Sequence, residues 1–216
     1  MFTEHLVAEI ARNRESGQFT DFTLICRGRE FPVHKLILSC HSKVFTAALR
    51  IGMKESTTGK FEMNEEDPFT VERMIQYMYS GTYDARPGMY DSESASRLQM
   101  HARVFALADK YQIDELETLS AREYTVSLHD KVDISPFLGS IHDVFNLTPQ
   151  SKRAMRIAAI NFAKNYLGAA MRGSSDLQTR FNDTARDIPD FAQELLESFL
   201  MAPVPGRPPS QSYRLK

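Results

Sequence analysis

The sequence is poor in the features that mark several large classes of protein. Only two of its 216 residues are cysteine, Cys26 and Cys40, and two isolated thiols without a leader-like start favour a reducing compartment. The residues Met1–His5 lack the charged and apolar segments of a signal peptide. No stretch approaches the ~20 apolar residues that a membrane-crossing helix needs. We therefore expect a location in the cytoplasm, the nucleus or both, and no membrane partner.

Charge of one sign and reactive groups are also scarce. The formal net charge is −2 and charged residues make up 25% of the chain, so no basic face for nucleic acid is predicted. The histidines and cysteines lack zinc-like spacing, and no glycine-rich phosphate loop occurs. The neighbours Cys40 and His41 would point roughly 100° apart on a helix and would not form a nucleophile–base pair. The sequence thus predicts no catalytic, cofactor-binding or metal-binding residue, and no enzyme.

What the chain does contain is a close alternation of strand and helix patterns over residues 1–125. An apolar stripe in the first helix ends at Ser16-Gly17. The β-rich runs 22–26 and 30–33 flank a short turn and predict a hairpin, with Pro32 placing the second strand at a sheet edge. Two helices are predicted next: a short one from His34 that is buried on most sides, and one from its Ser42 cap to about Arg50. They are followed by a strand at 60–63, a helix from Asp67 to Gly81 and a short strand at Thr82–Tyr83. Two more helices follow a loop at 84–96, the second with Asp114 as its cap.

From residue 126 onward the strand signals vanish. Helices are predicted at 137–146, at 152–171 with Ser151 as the cap, and at 188–201. The second of these carries apolar residues nearly all round, which predicts a well-buried helix. Residues 203–216 are rich in proline and serine and are predicted to be a disordered tail.

Five short motifs occur in a fixed order through the first part of the chain. They are Gln18–Leu24, Phe31–Leu38, Ser42–Phe45, Tyr77–Gly81 and Leu107–Tyr111. In this order and at these separations the motifs resemble those of the BTB/POZ domain family. The resemblance implies an α+β fold, a small mixed sheet flanked by a helical cluster, over residues 1–125. It also implies an all-α extension over 126–202 and a function in protein–protein interaction.

The resemblance further implies self-association as a homodimer, because the first helix of family members packs across a dimer. The candidates on the first helix are therefore Leu6, Val7 and Ile10. The resemblance also places Asp21, His34 and Lys35 near the dimer groove of the family, which makes them further candidates. Two alternatives remain open. The apolar stripe on the first helix would cover the chain's own core, and Asp21 and His34 would satisfy buried backbone groups at strand ends.

A second expected partner is a cullin scaffold protein. The stretch Phe45–Ser56 is similar to that of BTB adaptors of cullin ubiquitin ligases, whose hydrophobic-x-Glu motif falls on Met53 and Glu55. A methionine fills irregular apolar pockets, and a carboxylate accepts charged hydrogen bonds; Leu49 is a third candidate contact. The alternative is an ordinary helix end with a solvated glutamate.

The expected function is therefore a substrate adaptor for a cullin-RING ubiquitin ligase. The runner-up is a BTB assembly or scaffold protein, or a transcriptional regulator, without a ligase role.

Overall fold

The computed structural model describes residues 2–86, 95–130 and 133–201. The first part contains α1 (Phe2–Glu15), β1 (Phe22–Cys26), β2 (Arg29–Val33), α2 (Lys35–His41), α3 (Lys43–Ala48), α4 (Lys54–Thr58), β3 (Lys60–Glu62) and α5 (Pro68–Ser80). The second part contains α6 (Arg97–Lys110), α7 (Asp114–His129), α8 (Ile134–Leu147), α9 (Ala154–Phe162), a π-helical segment (Ala163–Leu167), α10 (Gly168–Met171), α11 (Ser175–Asp187) and α12 (Pro189–Leu200). A small mixed sheet within a helical cluster, followed by helices, confirms the predicted fold class.

The sheet has three strands in the order β2-β1-β3. The predicted hairpin is confirmed, with Phe22 opposite Val33 in an antiparallel register, while β3 pairs with β1 in parallel. The two residues of the turn, Arg27 and Gly28, both have positive φ, which matches the right-handed twist of a tight hairpin. Pro32 lies on an edge strand, as predicted, because an edge position does not require its missing N–H.

Local capping sets the helix ends in the first part of the chain. The Ser42 Oγ accepts a hydrogen bond from the Phe45 N–H at 3.1 Å and donates one to the Tyr111 carbonyl at 2.6 Å. Ser42 therefore begins α3 and also ties it to the end of α6. The Asp67 carboxylate accepts from the Thr70 N–H at 2.8 Å and begins α5, and Gly81, with φ +73°, ends α5.

Two buried apolar clusters share the helix α6. The first cluster joins the sheet to α2, α3 and α5 and takes Met100 and Val104 from α6. The second cluster joins α7, α8, α9 and α12 and takes Leu98 and Phe105 from the other side of α6. The boundary expected at residue 125/126 lies inside α7, whose Tyr124 is buried in the second cluster. The helices after residue 130 thus pack directly on α6 and α7.

Several local predictions are wrong. Thr82–Tyr83 forms no strand among the described residues, and the Tyr83 hydroxyl instead hydrogen-bonds to His101. Asp114 is not a cap, because Ile113 occupies the cap position and Asp114 lies within the first turn of α7.

The second part also differs from the prediction in detail. Ser151 does not cap α9, which begins at Ala154 after Arg153. The helix predicted over 152–171 is not buried all round, since Ile157 is about half exposed. The helix α11, capped by Ser174, was not predicted. The predicted tail, residues 203–216, and the part 87–94 of the predicted loop lie outside the described residues.

An ion triad joins the connection before α9 to α6 and α7. The Lys152 ammonium, in the connection before α9, lies 2.7 Å from an Asp109 carboxylate oxygen and also pairs with Glu117. Asp109 belongs to α6 and Glu117 to α7. Burial lowers the pKa of Lys152, but the hydrogen bonds to the two carboxylates outweigh it and raise the pKa above its ordinary value. The charge therefore helps to fix the last helices on α6 and α7.

A neutral histidine is buried between the two parts. The His101 Nδ1 lies 2.7 Å from the Tyr83 hydroxyl, and its Nε2 lies 3.3 Å from the Ser127 hydroxyl. Burial lowers the pKa of His101 to about 4; nearby Glu123 opposes this shift and Arg97 adds to it. The imidazole is therefore uncharged near neutral pH.

We expect the substitution Lys152→Met to lower the free energy of unfolding by about 1 kcal/mol, because it leaves Asp109 and Glu117 facing each other without a cation. Urea denaturation measures the change. The matched control is Lys43→Met, which removes an exposed ion pair to Asp114 and should change stability by less than about 0.5 kcal/mol. Equal stability of the two variants would show that the triad contributes nothing net.

We expect stability to fall as the pH decreases from about 6.5 to 4. In this window the unfolded chain, whose histidine has a pKa near 6.5, binds more protons than the folded chain, in which the pKa of His101 is about 4. The linked loss is about 3 kcal/mol. The variant His101→Gln should lack this part of the pH dependence in urea unfolding between pH 7 and 4, while the surface variant His142→Gln should keep it. An unchanged slope in His101→Gln would contradict the assignment.

Candidate protein-interaction surfaces

The apolar stripe on α1 divides between the core and the surface. Ile10 is partly buried and packs against the first cluster, where α1 lies on α5 and β2. Leu6 and Val7 are each nearly half exposed. Ile10 therefore covers the chain's own core, and a dimer contact through the exposed Leu6 and Val7 stays a prediction.

The polar candidates meet where β1, β2 and α2 join. The Asp21 carboxylate accepts a hydrogen bond from the Lys35 N–H at 2.8 Å, and the Asp21 N–H donates to the Val33 carbonyl at 3.2 Å. The Lys35 ammonium lies 5.8 Å from the centre of the Phe22 ring. Asp21 thus satisfies a backbone donor at the start of α2, which gives it a structural role whatever it contacts in an assembly.

His34 connects this junction to α5 and to the segment after α1. Its backbone N–H donates to the Tyr79 hydroxyl at 2.9 Å, and its Nδ1 lies 2.8 Å from the same oxygen. The Gln18 carbonyl can only accept, so Nε2 donates to it at 3.3 Å, and in the neutral ring Nδ1 then accepts from the Tyr79 hydroxyl. Burial raises the pKa of Tyr79, so the hydroxyl keeps its proton.

Two exposed apolar residues next to this junction were not identified from the sequence. Phe19 is strongly exposed and has φ +59°, a conformation that is rare for a bulky residue. Leu36 is also exposed, although the run Leu36–Leu38 predicts a helix buried on most sides. Phe19 belongs to the quoted motif Gln18–Leu24. Its exposure could not be predicted from that motif, because exposure depends on which other elements cover the side chain.

The cullin candidates surround the loop between α3 and α4. Leu49 ends α3 and packs against the first cluster, whereas Met53 is 46% exposed. Glu55 lies in the first turn of α4 and is partly exposed. Between them Ile51 is fully exposed, and Gly52, with φ +93°, turns the loop outward. Ile51 was not identified from the sequence, because its exposure depends on which distant elements cover it.

One cavity in the described part has a volume of about 510 Å³. Its lining consists of Leu128, His129, Ile134, Phe162, Tyr166, Ala169 and Ala170.

Residues 2–86, 95–130 and 133–201 contain no group of three or more His, Cys, Asp or Glu residues arranged to hold a metal ion. Within the same residues, every helix is too short or too polar to cross a membrane.

Comparison with known proteins gives one family match and several structural relatives. The model of the BTB/POZ domain family matches residues 10–127. The structure is similar to the BTB domain of zebrafish PATZ1, with 17% identity over 55% of this chain and 87% of that chain and a TM-score of 0.44. It is also similar to the BTB domain of human gigaxonin, with 23% identity over 56% of this chain and 89% of that chain and a TM-score of 0.43. Because the family model covers more than half of the 216 residues, the chain belongs to the BTB/POZ family, whose domains mediate protein–protein interaction.

Proposed function

We propose that the protein self-associates through α1 and recruits a cullin scaffold through the loop between α3 and α4, as a substrate adaptor of a cullin-RING ubiquitin ligase. The observation that carries the proposal is the outward loop with fully exposed Ile51 and 46% exposed Met53, followed by Glu55. Exposed apolar side chains beside a carboxylate supply the buried anchors and the charged contact of a typical binding hot spot.

The loop is held at both ends, which supports its use as a binding element. Leu49 is anchored in the first cluster, and the Met53 N–H donates to the Arg50 carbonyl at 3.2 Å. A loop that is ordered before binding loses less conformational entropy when a partner binds. Exposure of Ile51 to water is unfavourable in the isolated chain and would be relieved by an apolar pocket on the partner.

Self-association is supported by Leu6 and Val7 on the outer side of α1. The same surface would serve equally well in the alternative, in which the protein is an assembly or scaffold protein, or a transcriptional regulator, without a ligase role. The two functions differ in whether the loop around Ile51 contacts a cullin.

We expect Met53→Ala and Glu55→Lys each to weaken binding to the N-terminal region of the cullin by ~1–3 kcal/mol, because each removes one part of the contact. Isothermal titration calorimetry with purified proteins measures the change. Leu147→Ala is the control, since Leu147 is 45% exposed on α8, and it should bind like the unmodified chain. Lack of binding by the unmodified chain at tens of micromolar would remove the adaptor role and leave the assembly function.

We expect the double variant Leu6→Asp/Val7→Asp to raise the dissociation constant of the dimer at least about tenfold, equivalent to ~1.4 kcal/mol. The reason is that two charges would have to be desolvated in the apolar contact. Sedimentation velocity over a concentration series measures it, with Val126→Asp on α7 as the control at a similarly exposed valine. A monomeric unmodified chain at tens of micromolar would contradict self-association through any surface.

A further inference from the structure

The last described helix, α12, exposes apolar residues at its C-terminal end in addition to those that it buries. Phe191 and Leu195 are buried in the second cluster. The exposed residues at its end are Leu196, Phe199, Leu200 and Met201, at 60%, 53%, 75% and 83% exposure. A helix on the surface of a globular protein ordinarily shows polar residues there. The end of α12 is thus an apolar surface that the described residues leave uncovered.

A groove between α9 and α12 continues this apolar surface. Its volume is about 240 Å³, and its apolar lining comes from Ile157 and Ile160 of α9 and from Met201. Ile157 is about half exposed. The groove therefore offers an apolar floor that begins where the described chain leaves α12.

The charge on the α12 side of the groove is acidic. Asp190, Glu194 and Glu197 are charged residues of α12, which contains no lysine or arginine. Glu194 is neutralised by Arg153 at 2.9 Å and approached by the buried Arg156 at 3.7 Å. The Glu197 carboxylate accepts a hydrogen bond from the Gln193 amide at 2.9 Å, a neutral partner. Glu197 therefore gives the groove a negative charge on its rim.

The residues that follow Met201 in the sequence have the complementary chemistry. Residues 202–216 carry Arg207, Arg214 and Lys216 and no acidic residue, and they include the apolar Val204. Arg207 follows Met201 by six positions, a reach of up to ~20 Å when extended. Glu197 lies one helical turn before Met201, ~6 Å along the axis. The segment is long enough to turn back over the groove.

We propose that residues 202–216 dock in cis on the α9–α12 groove, with Arg207 paired to Glu197 and the segment covering Met201 and Ile157. Tethering at Met201 raises the effective concentration of the segment at the groove to the millimolar range, so a weak contact suffices. Any protein that binds this groove then has to displace the segment first. This inference is independent of the cullin and dimer surfaces.

Hydrogen exchange of the full chain tests the proposal, with the α9 amides, residues 154–162, as the reporter because no test substitution changes their sequence. Arg207→Glu and Glu197→Lys should each lower the protection factors there roughly threefold. The charge swap Glu197→Lys/Arg207→Glu should restore them. The control Asp183→Lys makes the same charge change on the exposed side of α11 and should leave the α9 amides unchanged.

Two results would overturn the proposal. Protection factors equal to those of the unmodified chain in both single variants would show that the segment does not pair with the groove. Protection that rises with protein concentration would show that the groove is covered by a second copy, because an intramolecular contact does not depend on concentration.

Discussion

The double-sided helix α6 is the constraint on which the rest of the structure depends. Met100 and Val104 on one side complete the cluster beneath the sheet, and Leu98 and Phe105 on the other side complete the cluster of the last helices. A helix buried on both sides cannot be moved without opening both clusters. The helices after residue 130 are therefore packed onto the BTB domain itself, through α6 and α7.

This shared helix pair also explains why polar groups are buried between the two parts. Tyr124 hydrogen-bonds to the Ser140 hydroxyl at 3.0 Å inside the second cluster, and His101 is held between Tyr83 and Ser127. Each group has its partners, so its burial is compatible with stability and fixes the packing of α6 against its neighbours. The candidate surfaces rest on different clusters: α1 and the loop after α3 on the first, and α12 on the second.

The part of the fold that could be predicted from the sequence is the part fixed by local chemistry. Alternation in Phe22–Cys26, the serine and aspartate caps and the helix-ending Gly81 depend on residues within a few positions of one another. Thr82–Tyr83 was misassigned because a strand requires a partner strand, which the sequence of the segment alone does not reveal, and Tyr83 instead contacts His101 on α6. The helix α11 was missed because only a narrow stripe with Leu177 and Phe181 packs on the second cluster.

The candidate sites were predictable in position but not in exposure. The motif comparison identified the segment around Met53 and the junction of Asp21 and His34, since both follow from residue order. It did not identify Ile51 or Phe19, because the exposure of an apolar side chain depends on which distant elements cover it. The same limit applies to Leu36, whose apolar neighbours are inside the fold while Leu36 itself is outside.

The exposed side of α12 is better explained by binding than by folding. Its inner side is fixed by Phe191 in the second cluster and by the contact of Glu194 with the buried Arg156, which also donates to the Phe145 carbonyl at 2.7 Å. A guanidinium buried in this way needs its carboxylate and carbonyl partners, so the position of α12 is set without help from its outer residues. Leu200 and its neighbours therefore add apolar surface without stabilising the described fold. A surface of that kind in a protein-interaction family is most simply explained as one that another segment covers.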